Sequence, residues 1–310
     1  MSRRSDERTR PTLREGDLPA LYRAANASSL EAQQRFLRAT VVRLALLLGA
    51  AFFGLFTWRF NLSPTDWAGV AAAFCFLSAL LVELYLLKDQ PERTWYEGRA
   101  AAESARTLGW RYMMGAEPFG IEGQQVDIDA LFLGRLNDVL SVLKDIDLSP
   151  GHAVREQITP VMRAIRAASL EDRRSMYEVN RVGEQQQWYS RKARWNRNRA
   201  AQWTLGMLAV EGTGIAAAIL KAAGTVGGEL LSLGGAIVAA MTAWLQTKQY
   251  RTIAAAYSVT ALELASVRSR IANQVTEADW SKFVSDAEDA ISREHTLWKA
   301  SRGVRSGAEN

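Results

Sequence analysis

A carboxylate set in an otherwise apolar, glycine-containing run is the residue of this chain with most chemical potential. Glu211 lies about eleven residues into the stretch Ala201–Leu220, with Gly206, Gly212 and Gly214 beside it. Ionisable groups are costly inside a bilayer and mark ion pathways or paired sites, while glycines let helices approach closely. Two readings stand. Glu211 lines a pore and attracts cations, forming a ring of carboxylates in an oligomer; or the span breaks there, leaving the residue exposed or capping a second helical segment. Arg43 and Glu83 are the other charges set just inside an apolar boundary. As antiparallel neighbours they form an ion pair across two helices, the preferred reading, or each snorkels toward headgroups.

The remaining constellations point away from catalysis. Gly224-Thr225-Val226-Gly227-Gly228 lacks the Lys-Ser/Thr pair of a phosphate-binding loop, and His295 follows Glu294 with no HExxH partner. His152 and His295, with Cys75 the single cysteine, make neither a metal site nor a disulfide. No enzyme activity, cofactor or metal is expected. Trp188 and Trp195, seven residues apart among Arg191, Lys192, Arg194, Arg197 and Arg199, put aromatics on one face of a basic helix. Such a face binds nucleic acid or packs on partner helices. Packing is preferred, because the helix feeds straight into an apolar run. With 38 basic residues interspersed among 33 acidic ones, no nucleic-acid partner is expected.

These residues are positioned by four apolar stretches arranged as two hairpins: residues 41–60, 67–87, 201–220 and 230–247. Each has the length to cross a hydrocarbon core of about 30 Å as a helix. Of the 38 Lys and Arg, only Arg59 and Lys221 fall within 44–87 and 200–247. Basic residues flank membrane helices on the cytoplasmic side, so both termini and the middle region are expected inside, with the tips at 61–66 and 221–229 outside. A cleavable signal is not expected, because the first 40 residues are polar. The predicted fold is an all-α membrane protein: two tandem transmembrane hairpins, four membrane helices in all, with long cytoplasmic helices forming a bundle.

Punctuation along the chain predicts the flanking elements. Residues 1–25, with Pro11, Gly16 and Pro19, read as a mobile lead, and MSRRSDERTR as a segment that touches anionic headgroups or stays disordered. Ser28 and Glu31 have capping-box spacing for the first helix. Ser63-Pro64-Thr65-Asp66 reads as the start of the second span, and Pro91 as its break. Helix is expected over 95–114, a loop around Gly115–Gly123, helix over 127–147 and a boundary near 150–165. Ser169 and Asp172 cap a proline-free run to Ala200, and two last helices run over 249–274 and 278–298.

The two hairpins begin 160 residues apart, and at that offset Ala101–Ala105 falls on Ala261–Ala265, both shortly after a hairpin. The chain reads as one unit written twice. Trp95–Ser104 (WYEGRAAAES) and Trp110–Phe119 (WRYMMGAEPF) resemble one subfamily of SLATT domains, the SMODS- and SLOG-associating two-transmembrane effectors. Trp195-Asn196-Arg197 and Glu288–Trp298 (EDAISREHTLW) resemble another. The resemblance implies a module at 26–155, a second at 156–302 and a short mobile tail at 303–310. It further implies an effector of bacterial conflict systems that forms a pore in the inner membrane when a linked nucleotide-generating or nucleotide-sensing partner is triggered. No sensor domain is expected among these residues, so the trigger would come from a separate protein, from a ligand bound by the cytoplasmic helices, or not exist. The partners implied are the lipid bilayer, further copies of the chain and that separate sensor. The alternative is a passive four-helix scaffold that recruits cytoplasmic partners.

Overall fold

The structure is a computed structural model that describes residues 13–59, 65–121, 127–141, 156–225 and 229–303. Among them the chain is all-α, with no strand beyond one isolated bridge between Arg59 and Asp66. After a 3-10 turn at Glu15–Asp17 come α1 (Ala20–Phe53), α2 (Trp67–Asp89), α3 (Pro91–Met114) and α4 (Ile128–Ser141). The second half holds α5 (Pro160–Arg166), α6 (Leu170–Tyr177), a π-helical turn at Glu178–Gly183, α7 (Glu184–Ala222), α8 (Glu229–Lys248), α9 (Tyr250–Ile271) and α10 (Glu277–Gly303).

Among the described residues three stretches are long and apolar enough to cross a membrane: Ala20–Phe53, Trp67–Met114, which joins α2 to α3, and Leu170–Ala222, which joins α6 to α7. Of their most apolar windows only 6%, 6% and 0% is buried within the fold. Phe74, Leu77, Leu81, Leu205, Ile215 and Ile219 are among the large apolar side chains left exposed. A surface this apolar needs a non-aqueous partner, and the chain is a membrane protein.

The chain divides into two compact units. One comprises residues 1–30, 94–189 and 259–310; the other comprises 31–93 and 190–258. Each unit therefore draws on both halves of the sequence, and all four crossings fall inside helices: α1, α3, α7 and α9.

The first unit carries the aqueous-type core. Trp110, Tyr112, Met113 and Met114 of α3 are buried with Phe132 and Leu136 of α4, Met162 of α5, Tyr177 of α6 and Trp280 of α10. Tyr177 stands edge-on to Trp110 at 5.8 Å and to Trp280 at 5.6 Å. Small residues bring α1 and α3 together: a Cβ on Gly98 would lie 3.2 Å from the Ala25 carbonyl oxygen, and the Ser29 hydroxyl donates to the Trp95 carbonyl at 2.9 Å. Ser28 and Ser29 are thus buried inside α1, which starts eight residues earlier than the capping spacing implied. Leu18 and Ala20–Tyr22, assigned above to a mobile lead, are buried, with the Leu21 amide donating to the Gln157 side chain at 3.0 Å.

The second unit holds the hairpins. On the first, Ala50, Cys75 and Ala79 are buried, and a Cβ on Gly49 would stand 3.4 Å from Cys75 Sγ. On the second, Gly206 would meet Met241 Cε at 3.4 Å, and Trp203 lies 6.5 Å from Trp244 between ring centroids. Both contacts fix an antiparallel register.

The outer turn of the first hairpin corrects the predicted 41–60 span. Helix α1 ends at Phe53, because Leu55 and Phe56 bond to Phe52 and Phe53 in a tightened turn. Asp66 then organises the return: its Oδ1 accepts from the Trp58 amide at 2.9 Å and the Ala68 amide at 3.1 Å. Asp66, rather than Ser63, is the N-cap of α2. Pro91 separates α2 from α3 as expected, at the first position of α3, after Gln90 in the left-handed region with φ 43°. Helix α4 ends its described range at Ser141, with Asp127 as its cap. The lead at 1–12, Pro64, Ser149-Pro150-Gly151, His152 and the tail from 304 lie outside the described residues.

Candidate functional site

Glu211 sits within α7, which is helical without interruption from Glu184 to Ala222. The helix is therefore not broken at Glu211, and the residue does not cap a second segment. Its side chain is exposed, as are Gly212 and Thr213, and Cβ atoms on Gly212 and Gly214 would meet nothing within 4 Å. The carboxylate stands on a helix face that the described chain does not cover. Arg43 and Glu83 form an ion pair between α1 and α2, each side chain a little over a third exposed. They offer no free charge for chemistry.

Trp188 and Trp195 do not form one buried seam. The buried positions along this part of α7 are Tyr189, Ala193, Asn196 and Ala200, spaced three and four apart. Trp195 is 46% exposed; Tyr250 meets its ring edge-on at 6.0 Å, and Lys192 and Arg199 lie over it. Trp188 is half-buried against its neighbour Tyr189.

The first unit contains a charge cluster that residue spacing did not reveal. Arg181 and Glu288 are both fully buried and bonded in a fork, Nε to Oε1 at 2.8 Å and Nη2 to Oε2 at 2.6 Å. The Tyr177 hydroxyl donates to Oε1 at 2.9 Å, and the Thr107 hydroxyl donates to Oε2 at 3.1 Å. Glu288 is thus satisfied from α3, α6 and the π-turn, and a buried carboxylate is tolerable only when so paired. Burial works against the Arg181 charge, but Glu288 beside it outweighs this and raises the guanidinium pKa. Burial, reinforced by Glu288, holds the Tyr177 hydroxyl well above its usual 10.0. Arg106, pushed down by burial and by Arg181, completes the cationic side. A phenol held protonated and a guanidinium held charged do no acid–base work near neutral pH. They hold helices together.

A second set of arginines fastens the loop after α3. Gly115 takes φ 65°, and a Cβ there would stand 2.7 Å from Ile121, so glycine is required. Buried Arg173 donates to the Met114 carbonyl at 2.7 Å and pairs with Glu277, while Trp280 Nε1 reaches the same carbonyl at 3.0 Å. Arg166 donates to the carbonyls of Tyr112, Phe119 and Gly120. The Tyr112 hydroxyl, pushed up to about 12 by burial and by its bond to Asp129, donates to Asp129 Oδ1 at 2.6 Å.

Among the described residues no three His, Cys, Asp or Glu come together to hold a metal ion. An open groove of about 260 Å³ is lined by Thr107, Leu108, Arg111, Arg135, Asp138 and Asp289, among others. Its charges already meet in pairs, Arg111 with Asp289 at 2.6 Å and Arg135 with Asp138 at 3.9 Å.

A helical chain with long apolar spans exposed on its surface is an all-α membrane protein. Residues 19–174 match the SMODS and SLOG-associating 2TM effector domain 3, and residues 177–298 match the SMODS and SLOG-associating 2TM effector domain 1. The chain belongs to the SLATT family and carries two of its domains in tandem. No curated protein matches it. No solved structure matches it either.

Proposed function

We propose that this protein is a non-enzymatic membrane effector that oligomerises in the bacterial inner membrane and opens a conductive path on a cytoplasmic signal. The observation that carries the reading is Glu211: an exposed carboxylate on an unbroken apolar helix, whose apolar window is 0% buried within the fold. An isolated charge facing lipid is expensive. Facing its equivalents from further copies across water, it becomes a cation-attracting ring. The effector description of both matched domains supports the reading.

In this proposal α8 is the fourth crossing, both termini and the middle region are cytoplasmic, and the two modules occupy 26–155 and 156–302. A separate nucleotide-signalling or sensor protein supplies the trigger, and neither nucleic acid nor a cofactor takes part. The test is induced expression with a membrane-potential dye, comparing wild type with Glu211→Ala and Glu211→Gln at matched membrane levels. Wild type should depolarise cells and both variants should lose most of that effect. Intact potential and viability in wild type with candidate triggers supplied would sink the pore and leave the passive scaffold.

A further inference from the structure

Helix α7 enters its apolar run through a band of cations. Arg194, Arg197 and Arg199 are exposed on α7, and Arg251 is exposed at the start of α9. Lys248 closes α8, its ammonium 5.4 Å from the centre of the Trp244 ring. All five lie in the unit that holds the hairpins.

Contacts fix three of the arginines without neutralising them. Arg251 donates to the Thr204 hydroxyl at 3.0 Å, Arg197 to the Ser258 hydroxyl at 3.5 Å, and Arg199 to the Gln202 side-chain oxygen at 3.3 Å. Residues 190–210 and 230–258 contain no Asp or Glu. Among the described residues Arg194, Arg197, Arg199 and Arg251 enter no ion pair. In a chain where 33 acidic residues accompany 38 basic ones, this band keeps its charge.

Aromatic rings are interleaved with the cations. Trp195 is nearly half exposed, with Lys192 and Arg199 5.6 Å and 5.5 Å from its ring centre and Tyr250 edge-on. Trp203, about 12 Å further along α7 at 1.5 Å per residue, lies beside Trp244. Beyond it the exposed face of α7 continues as Leu205 and Leu208. Cation, tryptophan and then aliphatic surface is the order of the layers from headgroup to acyl chain.

We propose that this collar is a binding site for anionic phospholipid headgroups, its guanidinium groups donating to phosphate and Lys248 acting as a point charge. Nucleic acid fits less well. A base stacking on Trp195 would compete with the two cations already over its ring, and the strand would have to lie along the bilayer surface. The inference rests on α7 crossing a membrane and is independent of the pore reading of Glu211.

The experiment is native mass spectrometry of the full chain released from detergent micelles carrying equimolar phosphatidylglycerol and phosphatidylcholine. The parent should retain phosphatidylglycerol over phosphatidylcholine by about fivefold, the effect of roughly one basic residue at an anionic surface. Arg194→Gln with Arg199→Gln should lose most of that preference, and Arg194→Lys with Arg199→Lys should keep it. Arg194→Gln alone breaks no contact within the fold and should weaken the preference even if the double variant misfolds. Arg35→Gln with Arg38→Gln removes the same charge from exposed positions on α1 of the same unit and should leave the preference largely intact. No preference in the parent, a preference that survives the collar variants, or an equal loss in the α1 control overturns the proposal. So does binding of a single-stranded oligonucleotide that the collar variant abolishes while its lipid preference is unchanged, which assigns the collar to nucleic acid.

Discussion

Glu288 receives four hydrogen bonds from three side chains in a fully buried site. Its removal does not merely delete those bonds. It strands the Arg181 guanidinium without a counter-charge, and stranding a buried partner costs about 3–5 kcal/mol. Glu288→Ala should therefore lower stability by about that amount in denaturant unfolding in detergent, far more than a surface Glu→Ala. Tyr112 offers a pH test with a definite sign. Its folded pKa of about 12 exceeds the ordinary 10.0, so the folded state holds the proton more tightly. The associated stability is complete below pH 10 and drains away as pH rises toward 12. Tyr112→Phe should flatten that part of the melting-temperature profile. Glu211, Arg43 and Glu83 were legible as lone charges in apolar runs, because hydropathy contrast is local. Arg181 and Glu288 were not, since 107 residues separate them and each looks like an ordinary surface charge in its own helix.

At the scale of elements, caps were read with mixed success, and the reason is physical. Ser169 accepts from the Asp172 amide at 3.2 Å and donates to the Asp172 carboxylate at 2.7 Å, as its spacing implied. Ser169→Ala should cost about 1 kcal/mol, read as a lowered unfolding midpoint with unchanged denaturant slope. Ser28 has the same spacing with Glu31 yet lies inside α1, where close contact between α1 and α3 uses small residues. A capping pattern marks a helix start only when no tertiary packing carries the helix past it. The same holds for α5, whose Thr159 cap and Pro160 start are regular, but which fell in a segment read as a boundary. The π-turn left no local trace in the sequence. It is maintained by Arg181, bonded to Glu288, and by the absence of a side chain at Gly183, where a Cβ would stand 2.9 Å from the Glu178 carbonyl oxygen. A glycine in a helical run has many uses.

For the whole molecule, the proposed topology has its own test. In a Cys75→Ser chain, cysteines at Thr65 and Thr225 should react with an impermeant thiol reagent added outside intact cells, and labelling only after lysis would reverse the orientation. Unaltered Cys75, buried against Gly49, should resist the same reagent. Membrane residence and the tandem organisation were determined by sequence alone, because span length, apolar content and basic flanks are one-dimensional properties that lipid reads directly. Tertiary structure decided how the halves combine: each compact unit is drawn from both of them. It also decided that Tyr189, Ala193, Asn196 and Ala200 form the buried face of α7 within the chain while Trp195 stays exposed, and that Arg181 and Glu288 share a site. Burial and pairing depend on which distant segments meet, and that meeting is fixed by packing many side chains at once rather than by any local pattern.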